Sequence, residues 1–235
     1  MDIISYLLGK KSSGGGGGST GIDWTTIGFP DTPQIIIDDY NYSKTIYDEW
    51  DATETSLASK FSSDKDLVYM PSVDCSNATT FQSMFSNCSN LEVVGNLHIS
   101  SSASSLKSMF NSCGTDSRSL SIDFSNSDTS NVTTFYQMFN SSNTIKELDL
   151  SSFTSDSATT VQQMFGTMKG IEKIDVRKFV FSKTGLTITN LFSSNSTNFP
   201  PDCLIIVKDD TEKTFLTTNF SFLTNVKTVA EYEAS

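Results

Sequence analysis

The chain has 235 residues, and its 16 Lys and Arg against 27 Asp and Glu leave a net charge of −11. That balance opposes nucleic-acid binding, which needs a basic footprint, and docking on an anionic membrane surface. Only 18% of the residues are charged, and the polar remainder is mostly Ser, Thr and Asn, which suits a protein built from many tight turns.

Residues 1–11, MDIISYLLGKK, open the chain. Ile3, Ile4, Leu7 and Leu8 fall at i, i+1, i+4 and i+5, one apolar face of a short helix. Asp2 at its start and Lys10 and Lys11 at its end suit the helix dipole. The segment does not read as a signal peptide, because the basic end comes last and the apolar core is short. No stretch approaches the ~18–20 apolar residues of a membrane span. Residues 12–20 are Ser and Thr around five glycines at 14–18, a flexible coil about 16 Å from end to end. An apolar helix on a loose tether predicts a docking peptide that plugs into a partner and is nearly shapeless without it.

Residues 21–60 read as an N-terminal cap. Thr32 is an N-cap with Pro33 at the first helical position, and a helix is predicted from there to about Trp50. Ile36, Tyr40, Tyr47 and Trp50 form its apolar stripe, and Trp24 and Phe29 belong to the same cap. An exposed Trp stacking on a sugar is the alternative use of these rings.

From there one phrase keeps returning: an apolar residue, Phe, a Ser/Asn-rich turn, then a strand-like run. The pairs are Met84-Phe85, Met109-Phe110, Met138-Phe139, Met164-Phe165 and Leu191-Phe192, with the Phe positions 25, 29, 26 and 27 residues apart. Phe61, 24 residues before Phe85, reads as a degenerate first copy. A period of this size marks a repeat architecture in which each unit buries its apolar edge only against its neighbours.

The copies starting at Phe139 and Phe165 are cleanest. Ile145, Leu148, Leu150 and Phe153 follow one, and Ile171, Ile174, Val176 and Phe179 the other, all at +6, +9, +11 and +14. This is the leucine-rich-repeat spacing LxxLxLxx. Residues at +9 and +11 share one strand face, so Asp149 or Asp175 between them is predicted to point outward. The copy after Phe110 is longest, with an insertion around 114–118. Upstream of each pair, apolar residues such as Val132, Phe135, Met138 and Phe139 recur at i, i+3, i+6 and i+7, predicting two helical turns capped by Asp128, Ser130 or Asn131. The Met-Phe stripe is read as core. The expected fold is α/β: a leucine-rich-repeat solenoid of about five to six repeats at 61–207, each a short helix, a turn and a short parallel strand, with a C-terminal cap at 208–235.

The run DTSNVTTFYQMFNSSNTIKELDLSSFTSDSATTVQQMFGTMKGIEKIDVRKF resembles the BspA-like leucine-rich repeats of bacterial surface proteins, and the likeness spans roughly residues 57–207. The tail, with its LIIV run at 204–207, is similar to the strand and helix that close such arrays. Docking helix, glycine tether and repeats together resemble predicted structural proteins of phages that infect gut bacteria. The likeness implies adhesion and protein binding, with no shared catalytic residues to carry over. A lipobox-like Cys near the start, a feature of lipoprotein members, is not present.

The four cysteines, 75, 88, 113 and 203, lack metal-site spacing. Cys88 and Cys113 share one place in successive copies, where a disulfide is conceivable, and buried thiols are the reading preferred. His98, the one histidine, reads as an ordinary surface residue. Seven N-x-S/T sequons follow from composition and carry no inference of glycosylation. No catalytic residue, metal or cofactor is expected.

Three functions fit. The first is a phage virion protein, its residues 1–11 held by other virion proteins and its repeats facing a host surface protein or glycan. The second is a bacterial cell-surface or secreted adhesin. The third is a glycan hydrolase with paired carboxylates such as Asp149 and Asp175, which the repeat itself would produce without chemistry. The candidate ligand face is Glu147, Asp149 and Ser151 beside Lys173, Asp175 and Arg177. Nucleic-acid and membrane partners are not expected, and self-association is left open.

Overall fold

The computed structural model describes residues 34–116, 119–193 and 197–235, with side chains from residue 41 onward. The docking helix, the glycine tether, Trp24, Phe29 and the Thr32-Pro33 helix start lie outside the described residues, as do the side chains of Ile36 and Tyr40. The chain is mixed α/β, and among the described residues every strand pairing is parallel.

Helix α1 (Gln34–Asp48) comes first and lies beside β1. Ser43 Oγ donates to the Tyr69 carbonyl at 2.6 Å, and Tyr42 OH donates to Asp64 Oδ2 at 2.5 Å. Strands β1 (Tyr69–Met70), β2 (Val93–Val94) and β3 (Ser121–Ile122) form one sheet. Strands β4 (Glu147–Asp149), β5 (Lys173–Asp175), β6 (Leu204–Val207) and β7 (Val226–Thr228) form another. Leu148 pairs with Ile174, as the +9 spacing predicts, and Ile174 pairs with Ile205.

The Met-Phe segments correct one expectation. Among the described residues no helix lies between Asp48 and Asp210. The predicted helices are turns, joined into a second parallel ladder through Ser56, Thr80, Ser105, Thr134, Thr160 and Thr187. The N–H groups of Phe81, Ser83, Phe85 and Asn87 donate to the carbonyls of Ser105, Lys107, Met109 and Asn111 at 2.8–2.9 Å. Three residues past each bridge the backbone turns left-handed, at Ser83 (φ 55°), Ser108 (53°), Gln137 (54°) and Gln163 (54°). The physical reason is competition. A nine-residue helix has a costly nucleus, and Ser, Thr and Asn favour turns over helix interiors. Hydrogen bonds to the neighbouring coil satisfy the same backbone groups without that cost.

The repeat's aromatic residues fill the space between the two ladders. Phe61, Phe85, Phe110, Phe139, Phe165 and Phe192 stack in one column, with successive centroids 5.2–6.0 Å apart and ring planes within 20°. Such pairs add about 0.5–1.5 kcal/mol each beyond the area they bury. Met84, Met109, Met138 and Met164 are fully buried beside them. Phe61, at the end of the column, is only partly buried, as a degenerate first copy would be.

The C-terminal segment alternates strand and helix. Helix α2 (Asp210–Asn219) is capped by Asp209, whose side chain accepts from the N–H groups of Thr211 and Glu212. Helix α3 (Val229–Glu233) follows β7 directly, with Thr228 and Glu231 forming a reciprocal capping box.

Candidate functional site

The candidate ladder sits where β4 and β5 run side by side and turn outward. Alternation places Leu148 and Ile174 in the core. Glu147 and Asp149 are exposed, and Ser151 is half-buried. The register Glu147 to Lys173 and Asp149 to Asp175 brings the predicted residues together across two coils. Lys173 Nζ lies 4.0 Å from Glu147 Oε2, and next to it Lys146 Nζ lies 2.8 Å from Glu172 Oε1. These exposed pairs are worth little by themselves.

Asp175 departs from the prediction. It is buried, 6% exposed, beneath Arg177. Arg177 Nη2 lies 2.6 Å from Asp175 Oδ2, and its Nε donates to both carboxylate oxygens at 3.0 and 3.1 Å. Arg177 is held in turn by Glu233 at 3.5 Å, and the Lys173 ammonium lies 5.3 Å from the centre of the Tyr232 ring. The hydrogen bonds that Arg177 donates to the Asp175 carboxylate raise the Arg177 pKa, and Tyr232 raises that of Lys173. Helix α3 thus covers the β5 half of the ladder. The β4 half, Glu147, Asp149 and Ser151, stays open.

A recurrent turn prepares the open half. At the end of β4 and β5 and just after β1, β2 and β3, an Asp or Asn side chain accepts the N–H two residues on: Asp74 from Ser76, Asn96 from His98, Asp123 from Ser125, Asp149 from Ser151 and Asp175 from Arg177, at 2.7–3.2 Å. Burial pushes the Asp149 carboxyl up, but hydrogen bonds from Ser151 and the charges of Arg177 and Lys173 outweigh it and hold the pKa below the ordinary value. Asp149 is therefore an anionic acceptor at neutral pH, the opposite of a general acid. With Ser151, Asp123, Asn126 and Lys178 it lines a groove of about 600 Å³. Sequence reasoning did not single out Asn126 or Lys178. The signal was there: both stand three residues after the turn-forming Asp of their coil.

The cysteines are structural. All four are free and buried. Cys88 Sγ donates to the Phe61 carbonyl at 2.9 Å and Cys113 Sγ to the Phe85 carbonyl at 3.1 Å, while Ser142 Oγ makes the same bond to Phe110 one coil later. Burial pushes the Cys75 and Cys203 thiols up to about 12. Among the described residues no group of three His, Cys, Asp or Glu could hold a metal ion, and no helix is long and apolar enough to cross a membrane.

A protein-family model described as "Mycoplasma protein of unknown function, DUF285" matches the chain twice, at residues 23–122 and 100–202. No curated protein and no solved structure matches it. Two overlapping matches in succession are what an internally repeated chain would produce, and they are consistent with BspA-like repeats. They span well over half of the sequence, so the chain belongs to the DUF285 family.

Proposed function

We propose that this chain is a non-catalytic binding protein, a BspA-like leucine-rich-repeat solenoid of five to six coils that presents polar side chains in register to a partner. The observation that carries the reading is the open half of the ladder. Glu147, Asp149 and Ser151 stand on a rigid strand and its turn, beside a groove, with their neighbours locked into the core. Side chains so placed lose little entropy on binding, the advantage of a preorganised surface.

The specific reading is a bacteriophage virion component, such as a fibre, tail or capsid decoration, anchored by residues 1–11 and facing a host surface protein or glycan. The sequence plan of apolar peptide, glycine tether and repeats supports it. A bacterial cell-surface or secreted adhesin is the second reading, favoured by a family description that names a bacterium.

Two experiments test these readings. Glu147→Ala, Ser151→Ala and Asp149→Asn, which keeps the turn-forming oxygen that accepts the Ser151 N–H, should weaken attachment to host cells while leaving stability within about 0.5 kcal/mol, because surface side chains away from such turns carry little folding energy. Unchanged attachment in all three would remove the ladder from consideration. Asp175→Ala is no substitute, since it strips a buried carboxylate from Arg177 and changes stability as well. Deleting residues 1–20 should leave a folded repeat domain that no longer joins the particle, as read by mass spectrometry of purified virions. Normal incorporation would defeat the anchor and put the adhesin first.

A further inference from the structure

We propose that a second groove, of about 810 Å³ and lying between α1 and the turns after β1–β3, binds a neutral carbohydrate chain. Its rim is aromatic. Tyr47 is 47% exposed, which singles it out among the large hydrophobic residues described. Trp50 forms the adjoining wall and is held rigid, its indole N–H donating to the Asp74 carbonyl at 2.9 Å and the Lys60 ammonium lying 5.3 Å from its ring centre.

Opposite the rings stand acceptors already oriented by their own loops. Asp74 and Asp123 each commit Oδ1 to a backbone N–H, from Ser76 and Ser125. Hydrogen bonds from Ser76 hold the Asp74 carboxyl below the ordinary range, so it is charged and acceptor-only at neutral pH. His98 and Asn126 sit at the lip in the left-handed region, φ 51° and 61°, both exposed.

A sugar ring has an apolar C–H face and a rim of hydroxyls that donate and accept. An exposed aromatic ring facing preset carboxylates and an amide meets both needs, in the mixture of apolar surface and few oriented polar groups that small-ligand sites use. The two carboxylates disfavour phosphate, sulfate or carboxylate ligands, since like charges brought together are costly. A peptide adding as a strand would need the edge of β1, but α1 lies beside that strand and Ser43 already donates to the Tyr69 carbonyl. The groove is separate from the Glu147 ladder, so either can fail without the other.

The test uses the full chain and defined probes: cellotetraose, chitotetraose, mannotetraose, 3′-sialyllactose and an extended octapeptide, by isothermal titration. At least one neutral tetrasaccharide should bind, more tightly than sialyllactose or the peptide. Tyr47→Ala should weaken that binding about tenfold or more, while Tyr47→Phe, which keeps the ring, should retain it. Asp74→Asn keeps the turn-forming oxygen and should also weaken binding, and Glu147→Ala should leave it unchanged. Failure of every neutral probe, preference for the acidic or peptide probe, or equal binding by Tyr47→Ala and Asp74→Asn would overturn the proposal.

Discussion

Replacing Phe139 with Ala should lower the stability of the repeat domain by about 3–5 kcal/mol, as truncation of a buried ring does when the cavity cannot collapse. Phe139 is fully buried at the middle of the aromatic column. Its ring stacks on Phe110 at 5.8 Å and on Phe165 at 6.0 Å, and meets the edge of Phe124 at 5.9 Å. Backbone bonds prevent the neighbours from closing in. The Phe110 N–H donates to the Met138 carbonyl at 2.8 Å and that of Phe139 to the Met164 carbonyl at 2.9 Å, so the spacing of the coils is set independently of the side chain. Phe61, partly exposed at the end of the column, should cost clearly less on the same change. Urea unfolding followed by circular dichroism would measure both. Equal losses at the two positions, or a loss below about 1 kcal/mol at Phe139, would show that the column is not a principal source of stability.

The second large effect is expected at Glu212. This carboxylate, on the first turn of α2, is only 2% exposed. Its Oε2 accepts the N–H groups of Phe181 and Ser182 at 2.7 and 3.2 Å, and its Oε1 accepts Ser182 Oγ at 2.6 Å. It ties the C-terminal cap to the loop after β5. Glu212→Ala should cost about 3 kcal/mol, since hydrogen bonds to a charged group are worth about 1.5–3 kcal/mol each and the donors lose their acceptor, with part returned because a buried charge is no longer desolvated. Glu212→Gln keeps one acceptor oxygen and should fall between Ala and the native residue. The melt should also loosen α2 before the central coils, which amide hydrogen exchange would reveal. A Glu212→Ala protein within about 0.5 kcal/mol of the parent would mean that water replaces the carboxylate without loss.

Much of this could be read from the chain in order. The recurrence of Met-Phe and the +6, +9, +11 spacing announce repeated units with parallel strands, and the two-residue alternation places Leu148 and Ile174 in the core. Leu148 beside Ile174 follows from that spacing alone. The Met-Phe segments could not be assigned the same way. Apolar residues at i, i+3, i+6 and i+7 fit a two-turn helix and also fit the observed turns. The choice is made by hydrogen bonds to coils 24–29 residues away, such as Phe81 to Ser105 and Leu106 to Thr134, which no local window contains.

The candidate ladder divides along the same line. Outward alternation is a local property of a strand, and Glu147 and Asp149 obey it. Asp175 has the same local pattern yet is buried, because α3 brings Tyr232 and Glu233 over Lys173 and Arg177 from more than fifty residues downstream. The groove beside α1 likewise needs Tyr47 of that helix to meet His98 and Asn126 from the turns after β2 and β3. Sequence by itself determined the period, the core and the strand register, since these depend on spacing within a repeat. Tertiary structure alone decided the turn ladder, the covered half of the site and the groove, because each arises where backbone or side-chain groups distant along the chain satisfy one another.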